Sequence, residues 1–324
     1  MINMPLELDE IDKRILFELE RNARIPDVKL AKIVRKSKDA VRYRIKRLEE
    51  EKIITGYKTW IDMSKLGFRS GTIYFTLLNI PEKKKKLIDF ITNDPRTYWI
   101  GVAEGAWNIG ISPYFKSNEE LFRIKHELMN KFGDIILDVK MTSLVGVSIH
   151  EKNFLINEKT KLTSFTEKLE ENNLDEMSEK ILKKIYWNAK ENIATLASEL
   201  NTTVDIIRTR IKNLEKDKVI IRYSAVIDYQ KIGYEYHKAF IYIKKFDSEF
   251  FNKINNHLEN SKVAINMVRQ IAPWDLEIIF FTRNFSEYDL AIGEITKMFE
   301  DNIKKIESAT MSIDIIFPCK KLPF

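Results

Sequence analysis

Between positions 35 and 46 the chain sets Arg35, Lys36, Lys38, Arg42 and Lys46 beside Ser37, Asp39 and Tyr43. Cations at this density bind phosphate oxygens, and an Arg or Lys held in a fixed direction also pairs with O6 and N7 of guanine. That chemistry needs a helix to aim the side chains. Val41, Ile45 and Leu48 recur at i, i+4 and i+7, which predicts a helix packed on that side. At about 100° per residue the opposite side carries Asp39, Arg42, Tyr43 and Lys46. Ser37 stands at the N-cap position, and Lys36 and Lys38 flank the helix end where free backbone N–H groups attract an anion. Arg42 and Lys46 are therefore expected at base edges in a major groove, and Arg35, Lys36 and Lys38 at backbone phosphates. Arg44, at the edge of the packed side, reads as a structural ion-pair partner, and Glu49-Glu50 as a solvated helix end.

The elements that must position this helix are legible upstream and downstream. Asp9 is a plausible N-cap for a helix packed through Ile11, Ile15, Leu16 and Leu19. A short second helix packs through Val28, Leu30, Ala31 and Val34, and Arg35-Lys36 make the turn. Ile53 and Ile54 open an extended segment through Tyr57 and Ile61, the expected wing. A charge run alone reads as a solvated helix face. Capped helix, turn and wing together shift the reading to a winged helix-turn-helix bound to double-stranded DNA.

The pattern occurs twice. At a constant shift of 166 residues Leu8-Asp9-Glu10 recurs as Leu174-Asp175-Glu176, Asn22-Ala23 as Asn188-Ala189, and Arg44-Ile45-Lys46 as Arg210-Ile211-Lys212. Leu48-Glu49, Tyr57 and Ile61-Asp62 likewise meet Leu214-Glu215, Tyr223 and Ile227-Asp228. Behind each helical part, strand-like and helix-like runs follow in the order β-α-β-β-α-β, the ferredoxin-like split pattern. In the first copy Thr72–Leu78 opens this pattern and Glu104-Gly105 turns its central hairpin. In the second copy Trp274-Asp275 faces Trp107-Asn108 at a shift of 167. The expected class is α+β, with two winged helix-turn-helix modules each followed by a ferredoxin-like sandwich of the dimeric-barrel type. The boundaries read as 1–62, 63–156, a polar linker at 157–173 ending in a short helix, 174–228 and 229–324.

The copies differ in charge. Residues 24–50 hold ten basic against four acidic side chains, and 190–216 hold five against four. The turn changes from Arg35-Lys36-Ser37-Lys38 to Asn201-Thr202-Thr203-Val204, while Arg208, Thr209 and Lys212 remain on the outward side. The first module is expected to dominate DNA affinity and the second to read a divergent half-site.

These residues resemble the Lrp/AsnC, or feast/famine, family of regulators. The likeness lies in Leu8-Asp9-Glu10-Ile11-Asp12, Asn22-Ala23-Arg24, Leu30-Ala31, Ser37 to Glu49, Ile53-Ile54-Thr55-Gly56-Tyr57 and Leu66-Gly67. It implies sequence-specific DNA binding, ligand-sensing sandwich domains, and pairing of their sheets in oligomers, or here within one chain as a pseudo-dimer. It also implies a small effector, often an amino acid, at a Gly-containing turn, which falls on Glu104, Gly105, Trp107 and Asn108. The second copy has Ile271-Ala272-Pro273-Trp274-Asp275 there, lacking the glycine and gaining a proline that removes a backbone donor.

Composition narrows the alternatives. The 324 residues carry a net charge of +6, 44% hydrophobic and 31% charged residues, and one cysteine, Cys319. Intrachain disulfides are excluded, and with neither a leader nor a membrane-length apolar run the expected location is cytoplasmic. Four dispersed histidines, His126, His150, His237 and His257, give no metal spacing, so no metal or cofactor is expected. Siroheme decarboxylases, which resemble paired Lrp/AsnC units, are an enzymatic alternative. Their His and Tyr before the second hairpin strand are replaced here by Val102-Ala103-Glu104. A polymerase- or chromatin-associated winged-helix factor without sequence readout is the third reading.

Overall fold

The computed structural model describes residues 8–150, 153–156, 162–166, 169–170, 174–245, 248–316 and 319–324. The chain runs α1 (Glu10–Arg21), α2 (Asp27–Val34), α3 (Lys38–Glu50), β1 (Ile54–Ile61), β2 (Arg69–Ser70), β3 (Ile73–Leu77), α4 (Pro81–Thr92), β4 (Thr97–Gly105) and β5 (Ile109–Phe115). It continues through α5 (Asn118–Phe132), β6 (Ile136–Met141), β7 (Ser143–His150), β8 (Leu162–Thr166), α6 (Glu176–Ile185), α7 (Ile193–Glu199), α8 (Val204–Lys216) and β9 (Ile220–Ile227). Last come β10 (Glu235–Ile243), α9 (Ser248–Asn260), β11 (Ala264–Ile271), β12 (Leu276–Thr282), α10 (Phe285–Met298) and β13 (Ile303–Ile316). The fold is mixed α+β.

These elements form two compact units that cut across the linear order expected from the sequence. The first gathers the described parts of 1–67, 169–233 and 320–322, the second those of 68–168, 234–319 and 323–324. In the first unit α1, α2 and α3 pack through Ile15, Leu16, Leu19, Leu30, Ala31, Val41 and Leu48, all buried. Val28, expected among them, is 54% exposed because it lies roughly 110° around the α2 axis from the stripe of Leu30, Ala31 and Val34. Asp9 and Asp175 cap α1 and α6, accepting the N–H of Asp12 and Ser178 at 2.8 Å each.

The segment expected as a wing takes its hydrogen bonds from its counterpart: β1 pairs antiparallel with β9. Lys58 faces Ser224, and Thr59 faces Tyr223 where Tyr57 faces Ala225, so the register is unchanged when each residue is replaced by the one 166 positions away. Further contacts follow the same rule. The Ala23 N–H donates to Tyr223 O at 2.9 Å and the Ala189 N–H to Tyr57 O at 3.1 Å. Arg24 lies over the Tyr223 ring at 3.8 Å, and Lys190 over the Tyr57 ring at 4.3 Å.

The second unit is built on one sheet in the order β6-β3-β5-β4-β13-β10-β12-β11-β7-β8, with β2 beside β5. Since β6 runs into β7 through Thr142, the chain itself joins the two ends of the β6-to-β7 order into a ring. The 14-residue β13 pairs with β10 over its first part and with β4 over Ala309–Ile316. One side of the sheet packs Ile73, Phe75, Ile100 and Ile111 with residues of α4 and α5, and Ala239, Ile241, Ile278 and Phe280 with residues of α9 and α10. The alternate strand residues Tyr74, Trp99 and Phe240 turn the other way and gather with Trp107 and Trp274 from the turns after β4 and β11. Among them Lys238 pairs with Glu277 at 2.7 Å, and Glu277 also accepts from Tyr74 at 2.8 Å and Gln270 at 3.0 Å. All four side chains are buried, so each charge is compensated where water cannot compensate it.

Within the stretch expected as a linker with a short helix, Leu162–Thr166 is instead β8, antiparallel to β7. Its Thr-Ser-Phe-Thr run suits a strand, and β7 offers an open edge. The remainder of that stretch lies largely outside the described residues.

Candidate nucleic-acid interface

The α3 surface is assembled from three local causes. Val41, Ile45 and Leu48 bury one side, Ser37 Oγ accepts the Ala40 N–H at 3.2 Å, and Arg35 takes a left-handed backbone, φ 53°, to end α2 and start the turn. Arg35, Lys36, Ser37, Lys38, Asp39, Arg42, Tyr43 and Lys46 are then all exposed, with Tyr43 at 69%. Arg42 Nε donates to Asp27 on α2 at 2.6 Å, and Lys46 lies 3.6 Å from Glu50. Both ion pairs are surface contacts, which water and a phosphate displace at little cost.

Arg44 faces inward. Its guanidinium meets Asp9 at 2.7 Å and Asp12 at 2.8 Å, and Arg47 also bonds Asp12, whose side chain is 3% exposed. Hydrogen bonds that the Arg44 guanidinium donates to Asp12 and Asp9 push its pKa up. Burial opposes ionisation of Asp9, but the Asp12 N–H and the Arg44 guanidinium outweigh it and hold its carboxyl below the usual range. This cluster fixes α1 against α3. Glu49, read from sequence as solvated, accepts the Tyr57 hydroxyl, and burial together with that carboxylate drives the Tyr57 pKa upward.

Helices α6 to α8 repeat the inward contacts of α1 to α3 and differ in the outward ones. Arg210 bonds Asp175 and lies 3.3 Å from Ser178 Oγ, and the Tyr223 hydroxyl donates to Glu215 at 2.7 Å. Asn201 takes the left-handed turn position at φ 50°, and Thr203 caps α8 by accepting the Ile206 N–H at 3.3 Å. Arg208, Thr209 and Lys212 are exposed. Arg208 is held by Asp205 at 2.6 Å on its own helix, whereas Arg42 is drawn to α2. Sequence reasoning passed over the Tyr–Glu pairs and Asp27. The 166-residue shift carried the first signal, since Glu49 and Tyr57 recur together as Glu215 and Tyr223.

In the second unit, the turn suggested for an effector divides by role. Glu104 and Gly105 are exposed. Trp107 is buried, and Asn108 Oδ1 accepts the Leu77 N–H at 2.8 Å, so these two anchor the turn. Gly105 has φ 121°, and a Cβ there would meet Ser308 O at 2.4 Å, which restricts the position to glycine. At the second turn Asp275 accepts the Ile243 N–H at 2.7 Å, as Asn108 does, while Ile271 is exposed. Among the described residues no group of three or more His, Cys, Asp or Glu could hold a metal ion, and no helix is long and apolar enough to cross a membrane.

A buried three-helix frame presenting a capped, basic outer helix defines a helix-turn-helix protein. Residues 8–49 match the model of the AsnC-type helix-turn-helix domain. An uncharacterised HTH-type transcriptional regulator of Pyrococcus horikoshii is 31% identical over 148 residues, 44% of this chain and 97% of that protein. The HTH-type transcriptional regulator LrpA of Pyrococcus abyssi is 48% identical over 66 residues, 20% of this chain and 47% of that one. The chain belongs to the Lrp/AsnC family of DNA-binding, helix-turn-helix transcriptional regulators. A crystal structure of the siroheme decarboxylase NirDL shares the fold at TM-score 0.63 and 16% identity, over 98% of this chain and 94% of that one.

Proposed function

We propose that the chain is a single-chain pseudo-dimeric regulator, two copies of a winged helix-turn-helix joined to a ferredoxin-like sandwich, that binds an asymmetric DNA site chiefly through α3. The carrying observation is the exposed set Arg35, Lys36, Lys38, Arg42, Tyr43 and Lys46 around the capped start of α3. Lys36 and Lys38 with the free N–H groups of that end hold phosphates, while Arg42 and Lys46 reach base edges after leaving Asp27 and Glu50. The β1–β9 register, unchanged by the 166-residue shift, supports the two-copy reading, as do the strands shared between 68–150 and 234–316. Arg208, Thr209 and Lys212 serve the second half-site. Selection of bound duplexes from random sequence tests this: one preferred asymmetric site is expected, and its loss with Arg42→Ala and Lys46→Ala. Binding without sequence preference would favour the polymerase- or chromatin-associated reading.

A small effector such as an amino acid would bind at the exposed Glu104-Gly105 edge, with Trp107 and Asn108 holding the turn behind it. Calorimetry with an amino-acid panel checks this, and binding unchanged in Gly105→Pro would exclude the location. Whole-chain likeness to a siroheme decarboxylase is the observation that keeps the enzymatic reading alive. Against it, the inward side of the ring carries Trp107, Trp274, Tyr74 and Phe240, all fully buried. Incubation with siroheme, followed by absorbance, separates the two: tight binding with loss of carboxylates would establish the enzyme.

A further inference from the structure

Helix α8 exposes an apolar side chain where α3 has almost none. Ile206, third residue of α8, is 43% exposed, and the residue 166 positions earlier is Ala40. A lone exposed isoleucine is ordinary on a protein surface. Its place gives this one meaning, for the first turns of a recognition helix are the part that meets base edges. At about 100° per residue Ile206 lies roughly 60° around the axis from Thr209, and the methyl-bearing Thr209 replaces Tyr43. Arg208 is tied to Asp205, and its angular position lies on the far flank of the exposed side. The cationic turn of the first module is Asn201-Thr202-Thr203-Val204 in the second.

We propose that α8 reads thymine through its 5-methyl group, with Ile206 making the contact and Thr209 beside it. The proposal rests on the DNA-binding reading of the second module and adds what that module recognises. In the major groove thymine presents a methyl and one acceptor, and apolar side chains discriminate it by burying that methyl. Two surfaces that water otherwise covers are removed together, which adds affinity independent of counterion release. A module with few basic residues gains selectivity in this way. The operator then has unlike halves: guanine-bearing under Arg42 and Lys46, thymine-bearing under Ile206 and Thr209. Arg208 and Lys212 are exposed on the same helix, at roughly 160° and 120° around the axis from Ile206, and these cations beside an otherwise polar exposed side favour a nucleic acid over an apolar protein groove as its occupant.

The test uses the full chain and a duplex obtained by selection. The half under α8 is the one whose footprint weakens in Arg208→Ala with Lys212→Ala. Within that half each thymine is replaced by deoxyuridine, which removes only the methyl. We expect one or two positions at which wild type loses about fourfold in affinity, the equivalent of roughly 0.8 kcal/mol per buried methyl group. Ile206→Ala, an exposed change checked for folding by circular dichroism, should bind the thymine and uracil duplexes alike, whereas Arg42→Ala should keep the discrimination. Wild type indifferent to uracil overturns the proposal, as does discrimination that persists in Ile206→Ala. Indifference to uracil combined with altered self-association in Ile206→Ala would assign the side chain to a protein contact. A footprint confined to the α3 half would overturn DNA reading by α8 itself, leaving the α3 reading intact.

Discussion

Helices α3 and α8 share an interior and differ in their exterior. Both bury a β-branched residue, an isoleucine and a leucine at the same spacing, Val41, Ile45 and Leu48 against Ile207, Ile211 and Leu214. Both carry an inward arginine bound to the N-cap aspartate of the module's first helix. Outside, five of the eight positions from 35 to 46 that carry the first interface have changed type: Arg35, Lys36, Lys38 and Tyr43 became Asn201, Thr202, Val204 and Thr209, and Ser37 became Thr203. Packing restrains a core position through every neighbour it touches, whereas an exposed position answers only to what binds it. The two helices have one packed interior and two different exposed surfaces.

The sharpest way to break that comparison is to remove the exposed cations. Arg42→Ala with Lys46→Ala should lower DNA affinity several-fold to hundreds-fold, at roughly 1–3 kcal/mol for a good base contact. Arg208→Ala with Lys212→Ala should cost less, as fluorescence anisotropy on one operator would measure. Equal losses would show that the modules share the work and that surface charge is a poor guide to it.

The next test addresses the shared interior. Asp12 binds both Arg44 and Arg47, so Asp12→Ala takes this carboxylate from Arg47 and leaves Arg44 with Asp9 alone. Fully buried pairs cost ~3–5 kcal/mol when broken. Since Arg44 and Arg47 are partly exposed, we expect about 2 kcal/mol in urea unfolding. Ser178→Ala, at the matching place beside Arg210, should cost under ~1 kcal/mol. A larger loss at Ser178 would mean that the interiors are not equivalent.

Salt resolves a smaller difference. Replacing Arg35, Lys36 and Lys38 by Ala should flatten the plot of log affinity against log salt by about 0.9 for each phosphate that is no longer neutralised. Alanine at Asn201, Thr202 and Val204 should leave the slope unchanged. The smallest effect is in pH. The carboxyls of Asp9 and Asp175 are both held below the ordinary aspartate value near 3.8, so their contribution is present above that value and lost as pH falls through the folded value. Asp9→Asn and Asp175→Asn, which keep a capping oxygen, should each weaken this acid sensitivity to a similar extent. A marked inequality would separate the modules where we hold them alike.

Much of this arrangement was legible in the sequence. Periodicity gave α3, the capping residues Asp9 and Ser37 gave the helix starts, and the 166-residue shift gave the correspondence. Pairing across the shift was not legible. No local pattern tells β1 that its partner is β9, because an extended segment carries the same alternation whether it folds into its own hairpin or meets a strand 166 residues away. Burial of Trp107 and the bond from Leu77 to Asn108 were hidden for a similar reason. Turn sequences show which residues permit the bend, while the direction of each side chain is set by neighbouring strands.

Strand β13 carries a consequence for synthesis. One edge of β4 pairs with β5, and the other pairs with β13, which leaves the ribosome about two hundred residues later. At ~5–20 residues per second that edge waits roughly 10–40 s with its N–H and C=O groups unpaired. During that interval a nascent chain can add its open strand to a neighbouring nascent chain on the same message, so crowded translation should produce tangled aggregates that slower initiation relieves.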